Sequence, residues 1–345
     1  MTLNRTTERP RGAVRIDEVA DLITPMAVRV AAALRLAEHI HDGVDTVEEL
    51  AVKTNTHQPS LAALLGHLVA VEVFAEGTGG TLTLTRLGKQ LRLAQEFLDA
   101  EHSVGRSELS LVHLLDSVRT GQPAYPLQFG HTFWEDLAAR PAMKASFDSM
   151  TDRHLDNELD PLLAGYDWAA ADHVVDLGAG NGELLVRLLS TFPHLEGTIV
   201  DLPGSTAVAE GNLATAGHAK RSTVLGGDFF QPLTFLPRAT FVLSSVLHDW
   251  NDEDTTAILR RCAEALDPAE SLLVIDSFTH DARPDTHMDL RMLALFGARQ
   301  RTLAEMTGLA QDAGLRVVGT RLMRKKWLLE LRRPDATGTG RLRAA

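Results

Sequence analysis

The chain changes rhythm near its middle. Over residues 16–100, apolar side chains recur at helical spacing, beginning with I-D-E-V-A-D-L-I-T-P-M-A-V-R-V-A-A-A-L-R-L-A-E-H-I, and that period predicts helices with one buried face. Thr46 stands three residues before Glu49, the arrangement that lets a helix start cap itself. Ser60 precedes another helical run, L-A-A-L-L-G-H-L-V-A-V-E-V-F. E-G-T-G-G then reads as a turn and T-L-T-L-T alternates as a strand. Helices followed by a small hairpin predict a winged-helix-like domain over 12–100. Residues 101–165 read as a helical linker interrupted by T-G-Q-P-A-Y-P.

From His173 the pattern becomes strand, helix, strand. Strands are predicted at H-V-V-D-L, T-I-V-D-L, S-T-V-L-G, A-T-F-V-L-S-S and S-L-L-V-I-D-S, and two later runs, L-R-V-V-G-T and W-L-L-E-L, close the sheet. The expected fold is α/β, a Rossmann-like, mostly parallel doubly wound sheet over 166–334, with ligands at the C-terminal strand ends. Residues 335–345 read as a flexible tail.

Composition narrows the classes. The 345 residues are 44% hydrophobic, enough to build a core. No apolar run reaches the length of a membrane span, and the first residues lack a signal-peptide core, so a soluble cytoplasmic protein without a membrane partner is expected. Cys262 is the single cysteine, which rules out an intrachain disulfide and a thiolate metal site. A net charge of -12 disfavours nucleic acid as a partner. A winged helix raises DNA binding, yet no Lys or Arg occurs between Lys53 and Arg86, where the recognition helix would need cations. The alternative is a helical dimerisation module.

The first strand of the second half runs into V-V-D-L-G-A-G-N-G-E-L-L. Gly178, Gly180 and Gly182 allow a sharp turn and close approach to a ligand. Asp201, at the end of the next strand and 19 residues after Gly182, stands where a ribose-binding acid belongs. A dinucleotide loop places a third glycine where this chain has Glu183. That carboxylate and Asp176 disfavour a diphosphate and suit a cationic ligand such as S-adenosylmethionine, with its ammonium, sulfonium and ribose diol. Asp228 and Phe229, in G-G-D-F-F, are candidates for the adenine ring. NAD and an α/β fold with unrelated turns are the other readings.

Residues 16–334 resemble the S-adenosylmethionine-dependent small-molecule O-methyltransferases, in particular the bacterial antibiotic-biosynthesis branch, which is similar to the plant phenolic enzymes. The likeness is carried by I-T-P-M-A-V-R-V-A-A-A-L-R-L-A-E-H-I, G-Q-P-A-Y-P, F-W-E-D-L, D-L-G-A-G-N-G and V-L-H-D-W. It implies an N-terminal winged-helix-like dimerisation domain and hence a homodimer, and a Rossmann-like catalytic domain. The cofactor set it implies is Asp176, Gly178, Gly180, Asp201, Leu202, Asp228 and Phe229, with Ser244 added by the resemblance.

The stretch L-H-D-W-N-D-E-D holds one histidine among several acids. Asn251 or Asp252 can cap the helix that follows, with Glu253 and Asp254 in its first turn. A metal site is the other reading, but consecutive acids splay onto different helix faces, and no metal is expected. His248, at a strand end, is either a structural residue or a base. A phenol with a pKa near ~10 is ionised to about a thousandth at neutral pH, a penalty of roughly 4 kcal/mol that a positioned base removes. The resemblance implies that His248 is that base and that an acid at the end of the next strand, here Asp276, orients it. Many members carry Glu there, and many carry G-x-E-R-T where this chain has A-R-Q-R-T, so Gln300 is expected to meet the imidazole in place of a carboxylate.

Met288 and Met292 share a helix face, a spacing that suits a core as well as a pocket. The resemblance puts that helix, with Asp289, at the site of a small aromatic acceptor. Trp134, Phe147, Met150 and Trp250 are further candidates. The expected activity is methylation of a hydroxyl on an aromatic, polyketide-like molecule. The alternative is a decarboxylase or hydroxylase on the same fold.

Overall fold

The computed structural model describes residues 15–233, 239–279, 285–335 and 340–343. They fall into two compact units, divided between Arg106 and Ser107.

The first unit is helical with one hairpin. Helices Ile23–Ala33, Leu36–His41, Val47–Thr54, Gln58–Ala70 and Arg86–Leu98 bury Ala31, Leu36, Leu50, Leu65, Leu68 and Leu91 in a common core. Thr46 caps its helix through Glu49 N at 3.3 Å. The next helix starts at Gln58, before Ser60, because Pro59 fits the first turn, where its missing N–H is not needed. Strands β1 (Phe74–Glu76) and β2 (Leu82–Leu84) pair antiparallel. The expected domain start at residue 12 lies outside the described residues.

The second unit holds the sheet. Its strands are β3 (His173–Leu177), β4 (Glu196–Asp201), β5 (Ser222–Gly226), β6 (Thr240–Ser244), β7 (Leu272–Asp276), the short pair β8 (Phe278–Thr279) and β9 (Arg301–Thr302), β10 (Arg316–Leu322) and β11 (Trp327–Arg332). Seven of them form one sheet in the order β10-β11-β7-β6-β3-β4-β5. The five from β7 to β5 are parallel, while β11 pairs antiparallel with both β7 and β10.

The central strands read as unbroken apolar runs because both sheet faces are covered. Adjacent residues go to opposite sides: Val175, Leu272 and Val274 join one core, Val174, Leu273 and Ile275 the other. Strand order reverses between β3 and β6, so the ends of those strands, Leu177 and Ser244, flank the crevice where ligands bind in such sheets.

The expectation of a flexible tail does not describe residues 340–343. Arg341 N and Leu342 N donate to Glu330 Oε2 at 2.7 and 3.1 Å, and Arg343 N donates to Gly165 O at 3.0 Å. Residues 336–339 and 344–345 lie outside the described residues.

Candidate active site

The glycine loop leaves β3 and enters helix Glu183–Thr191. Gly178 has φ 71°, and a Cβ there would lie 2.9 Å from Val246 Cγ2. Gly182 has φ 80°, and a Cβ would lie 2.7 Å from Ile199 Cδ1, so no larger residue fits between this turn and β4. Gly180 N donates to Asp201 Oδ2 at 2.7 Å, and Leu202 N donates to Asp201 Oδ1, also at 2.7 Å. The acid at the end of β4 therefore fastens the loop as well as facing the crevice.

A cavity of about 390 Å³ opens over these strand ends. Asp176, Gly178, Gly180, Asp201, Leu202, Asp228, Phe229 and Ser244 all line it. So do Trp134, Phe147 and Trp250. The aromatic groups touch one another: Phe230 and Trp250 meet edge-on at 4.8 Å, Trp134 and Phe147 at 5.9 Å. Met150, Met288 and Met292 are not among the lining residues. Met292 is instead buried, the core alternative for a methionine at helical spacing.

The cavity is strongly acidic. Asp148, Asp152, Asp176, Glu183, Asp201, Asp228 and Asp249 line it, and Lys144 is the one cation among the described lining residues. Lys144 is already paired, donating to both Asp148 oxygens at 2.8 and 2.9 Å. Asp152 accepts twice from Asn181 Nδ2, at 2.8 and 2.9 Å, tying helix Pro141–Gly165 to the glycine loop. Asp176 is buried, and its Oδ2 has no hydrogen-bond partner among the described residues. Burial, with the charge of Asp201 added, pushes its carboxyl up to about 7. A buried, orphaned carboxylate of this kind calls for a cation.

His248 sits in the turn after β6. Its Nδ1 lies 2.7 Å from Asp276 Oδ1, and its backbone N–H donates to Asp276 Oδ2 at 3.2 Å. Its Nε2 lies 3.3 Å from Asp249 Oδ1. The side chain is 32% exposed. Desolvation works against a charged ring, but Asp249 and Asp276 outweigh it and raise the pKa to about 9. Asp276 moves the other way: burial opposes its ionisation, yet His248 and Lys326 hold it below the ordinary value. Burial raises Asp249 to about 6.

Gln300 does not meet His248. Its Oε1 is buried without a hydrogen-bond partner among the described residues, and its backbone N–H donates to Asp289 Oδ1 at 3.0 Å. Gln300 and Asp289 line a second cavity, of about 660 Å³, beside Asn251, Asp252 and Arg299. The neighbour of Gln300 explains the turn's path. Arg301, buried, donates from Nη1 to Leu247 O at 2.8 Å, from Nη2 to Trp250 O at 2.5 Å and from Nε to Asp252 Oδ1 at 2.7 Å. It clamps the segment that carries His248.

The match to known proteins spans both units. Residues 111–316 match the family model described as an O-methyltransferase domain. The chain is 47% identical, over 87% of its length and 91% of the relative's, to 2,7-dihydroxy-5-methyl-1-naphthoate 7-O-methyltransferase of Streptomyces carzinostaticus. The chain belongs to the O-methyltransferase family. It is also 42% identical, over 89% of its length and 85% of the relative's, to aclacinomycin 10-hydroxylase of Streptomyces purpurascens. Among solved structures, an O-methyltransferase from neocarzinostatin biosynthesis, in complex with S-adenosylhomocysteine and 1,4-dihydroxy-2-naphthoic acid, superposes with a TM-score of 0.85 at 44% identity, covering 93% of this chain and 99% of that one.

Three residues of this methyltransferase site are not singled out by the sequence pattern: Asp249 as a neighbour of the imidazole, Arg301 as the clamp, and Lys144 as the cavity's cation. The first is readable from L-H-D-W, since it directly follows the histidine. The others depend on long-range packing. Among the described residues no group of three or more His, Cys, Asp or Glu side chains is arranged to hold a metal ion.

Proposed function

We propose that this enzyme methylates a phenolic hydroxyl of a fused-ring, polyketide-like aromatic acceptor, with His248 as general base. The observation that carries the reading is the imidazole held through Nδ1 by buried Asp276 while its Nε2 lies 3.3 Å from Asp249, which with Trp250 lines the acidic, aromatic cavity that His248 adjoins in sequence. The relatives supply the acceptor class: one is a dihydroxynaphthoate methyltransferase, and another was solved with a dihydroxynaphthoic acid.

The cavity fits S-adenosylmethionine, whose part is to supply the methyl group. Asp176, with its orphaned oxygen, suits the ammonium, Asp201 the ribose hydroxyls, and Asp228 with Phe229 the adenine. The surplus of carboxylates favours a cationic ligand over a diphosphate. The chain's own residues do the rest. Trp134, Phe147 and Trp250 hold a flat ring by its faces and edges. Asp276 fixes the ring tautomer so that Nδ1 carries the proton and Nε2 is free to accept one. Nε2 takes the hydroxyl proton as the oxygen attacks, and Asp276 and Asp249 stabilise the imidazolium that forms.

The first unit reads as a winged-helix-like dimerisation module. Ile16, Val19, Leu22 and Ile23 are exposed on it, an apolar surface that a second copy would cover. Sedimentation of the purified protein as a monomer would refute the homodimer. A cytoplasmic enzyme is in keeping with the fact that no described helix is long and apolar enough to cross a membrane.

The test is turnover of S-adenosylmethionine with a panel of dihydroxynaphthoates, comparing the wild type with His248→Ala. Methylated product from the wild type and a loss of about a hundredfold or more in the variant support the reading. The 42% identity to a hydroxylase keeps a second outcome specific: a hydroxylated or decarboxylated product in place of a methylated one would replace it.

A further inference from the structure

On the sheet side of His248 lies a cation, Lys326. Its place is set by register. Strand β11 runs antiparallel to β7 and pairs Trp327 with Asp276, so the preceding residue arrives at the C-terminal end of β7, beside the end of β6. There the Lys326 ammonium donates to Ser245 Oγ. Ser245 is itself fixed: its φ is 59°, and its N–H donates to Ile275 O at 2.8 Å.

The turn that presents the lysine is equally constrained. Met323 N donates to Lys326 O at 2.8 Å. Arg324 N and Lys325 N donate to Glu158 Oε2 and Oε1 at 2.9 and 2.6 Å. Glu158 is buried on helix Pro141–Gly165, the helix that also supplies Phe147 and Asp152 to the cavity. Both of its oxygens are engaged by backbone, so it anchors the turn and leaves the ammonium to Ser245. Burial pulls Lys326 below the ordinary lysine value, while Asp276, Glu158 and Asp249 work to keep it charged.

The charged groups that act on the imidazole are therefore Asp249 in its own turn, Asp276 from β7 and Lys326 from the head of β11. The two carboxylates favour the imidazolium, which cannot take a proton, and the ammonium of Lys326 works against them. We infer that Lys326 is a positioning residue for the methyl transfer: its fixed ammonium keeps Asp276 an ionised acceptor for Nδ1–H and opposes charge on the ring, so that a larger fraction of His248 is in the neutral form that serves as base. The inference rests on the assignment of His248 as base. It assigns a role to the hairpin β10–β11, whose turn presents this side chain at the end of β7.

The test uses Lys326→Gln, which keeps a donor for Ser245 Oγ and removes the charge, beside Lys326→Met and Lys326→Arg. The rate kcat/KM is measured against pH with S-adenosylmethionine and a dihydroxynaphthoate, and S-adenosylhomocysteine affinity is measured in parallel. Removing the cation leaves the carboxylates unopposed, so the ascending limb moves to higher pH. Lys326→Gln and Lys326→Met then lose about 3- to 10-fold at neutral pH and recover to within about twofold above the limb, because the neutral fraction of the ring falls about tenfold for each pH unit below its pKa. Lys326→Arg keeps the wild-type limb, and cofactor affinity stays within about threefold in all of them. A limb that does not move in Lys326→Gln, or a loss that is uniform across pH, overturns the inference. Full activity in His248→Ala would overturn the base assignment instead, so the two failures are separable.

Discussion

His248 and Asp276 are joined twice, ring Nδ1 to Oδ1 at 2.7 Å and backbone N–H to Oδ2 at 3.2 Å. The same carboxylate also accepts Ser277 N–H at 2.8 Å. Both oxygens are thus committed, and rotation of the carboxyl would break bonds on both sides. Asp276→Asn presents an amide that cannot accept at both positions or offset an imidazolium. A drop in kcat of about 10²- to 10³-fold is expected, with S-adenosylhomocysteine affinity unchanged. The double variant with His248→Ala should be no slower than the worse single variant, because the two act as a unit. Independent, multiplying losses would argue that Asp276 serves something other than this ring.

The pH profile follows from the charges around His248. A ring with its pKa raised to about 9 is protonated in the free enzyme at neutral pH, and only the neutral ring accepts a proton. The rate kcat/KM should therefore climb with pH toward a limb near that value. At neutral pH only about a hundredth of the rings are neutral. Asp249→Asn removes a carboxylate whose charge favours the imidazolium, so the limb should move to lower pH. A limb that stays in place in this variant would dismiss Asp249 as an influence on the base.

Arg301 reaches two carbonyls and a carboxylate on the segment that carries His248. Arg301→Ala removes the clamp without touching the ring. An ångström of freedom in a catalytic group is worth about a hundredfold in rate, so a kcat loss of about 10- to 100-fold is expected. Arg301→Lys should not restore it, since a single ammonium cannot span the three acceptors. Steady-state kinetics of the two variants decides the matter, and restoration by lysine would count against the clamp.

Asp201 fastens Gly180 N–H and Leu202 N–H as well as facing the cavity. Asp201→Ala is expected to weaken S-adenosylhomocysteine by about 10- to 100-fold, the worth of hydrogen bonds to a charged group. Calorimetric titration reads it directly. Unchanged affinity would remove the loop from the cofactor site.

Glu330, fully buried on β11, accepts from Ser271 Oγ at 2.8 Å and from Arg341 N and Leu342 N. Arg332 lies 3.5 Å away and shares Ser271. Glu330→Ala leaves that guanidinium buried beside lost partners, and a destabilisation of about 3–5 kcal/mol is expected in denaturant unfolding. A change under about 1 kcal/mol would mean that the network is replaceable.

The seven sheet strands were legible within a residue or two at most ends: burial on both faces writes a largely apolar run into the five inner ones, while the edge strands β5 and β10 are only half-buried. The glycine loop and the acids at the strand ends were legible for a related reason: each stands a short, fixed distance after a strand. What the pattern could not show depends on segments far apart in the chain. Lys326 meets Ser245 across 81 residues and Arg301 meets Leu247 across 54, and neither cation is marked by its neighbours. Gln300 fails differently. Its motif position suggested contact with the imidazole, but its backbone N–H is held by Asp289 and the residue lines the second cavity. The methionines of the Thr286–Phe296 helix show the limit of periodicity, which marks a shared face without saying what covers it.

The placement of β11 has a consequence for synthesis. The last strand of the sheet does not extend an edge; it is inserted between β7 and β10. Until residues 327–332 have left the ribosome, β7 keeps an open side of unpaired backbone groups, a surface that invites pairing with other chains. Asp276 stands at the end of that open strand. The nascent protein can therefore form the crevice between β3 and β6 while β7, with Asp276 at its end, still lacks its outer neighbour, and the sheet is complete only when the final hairpin closes.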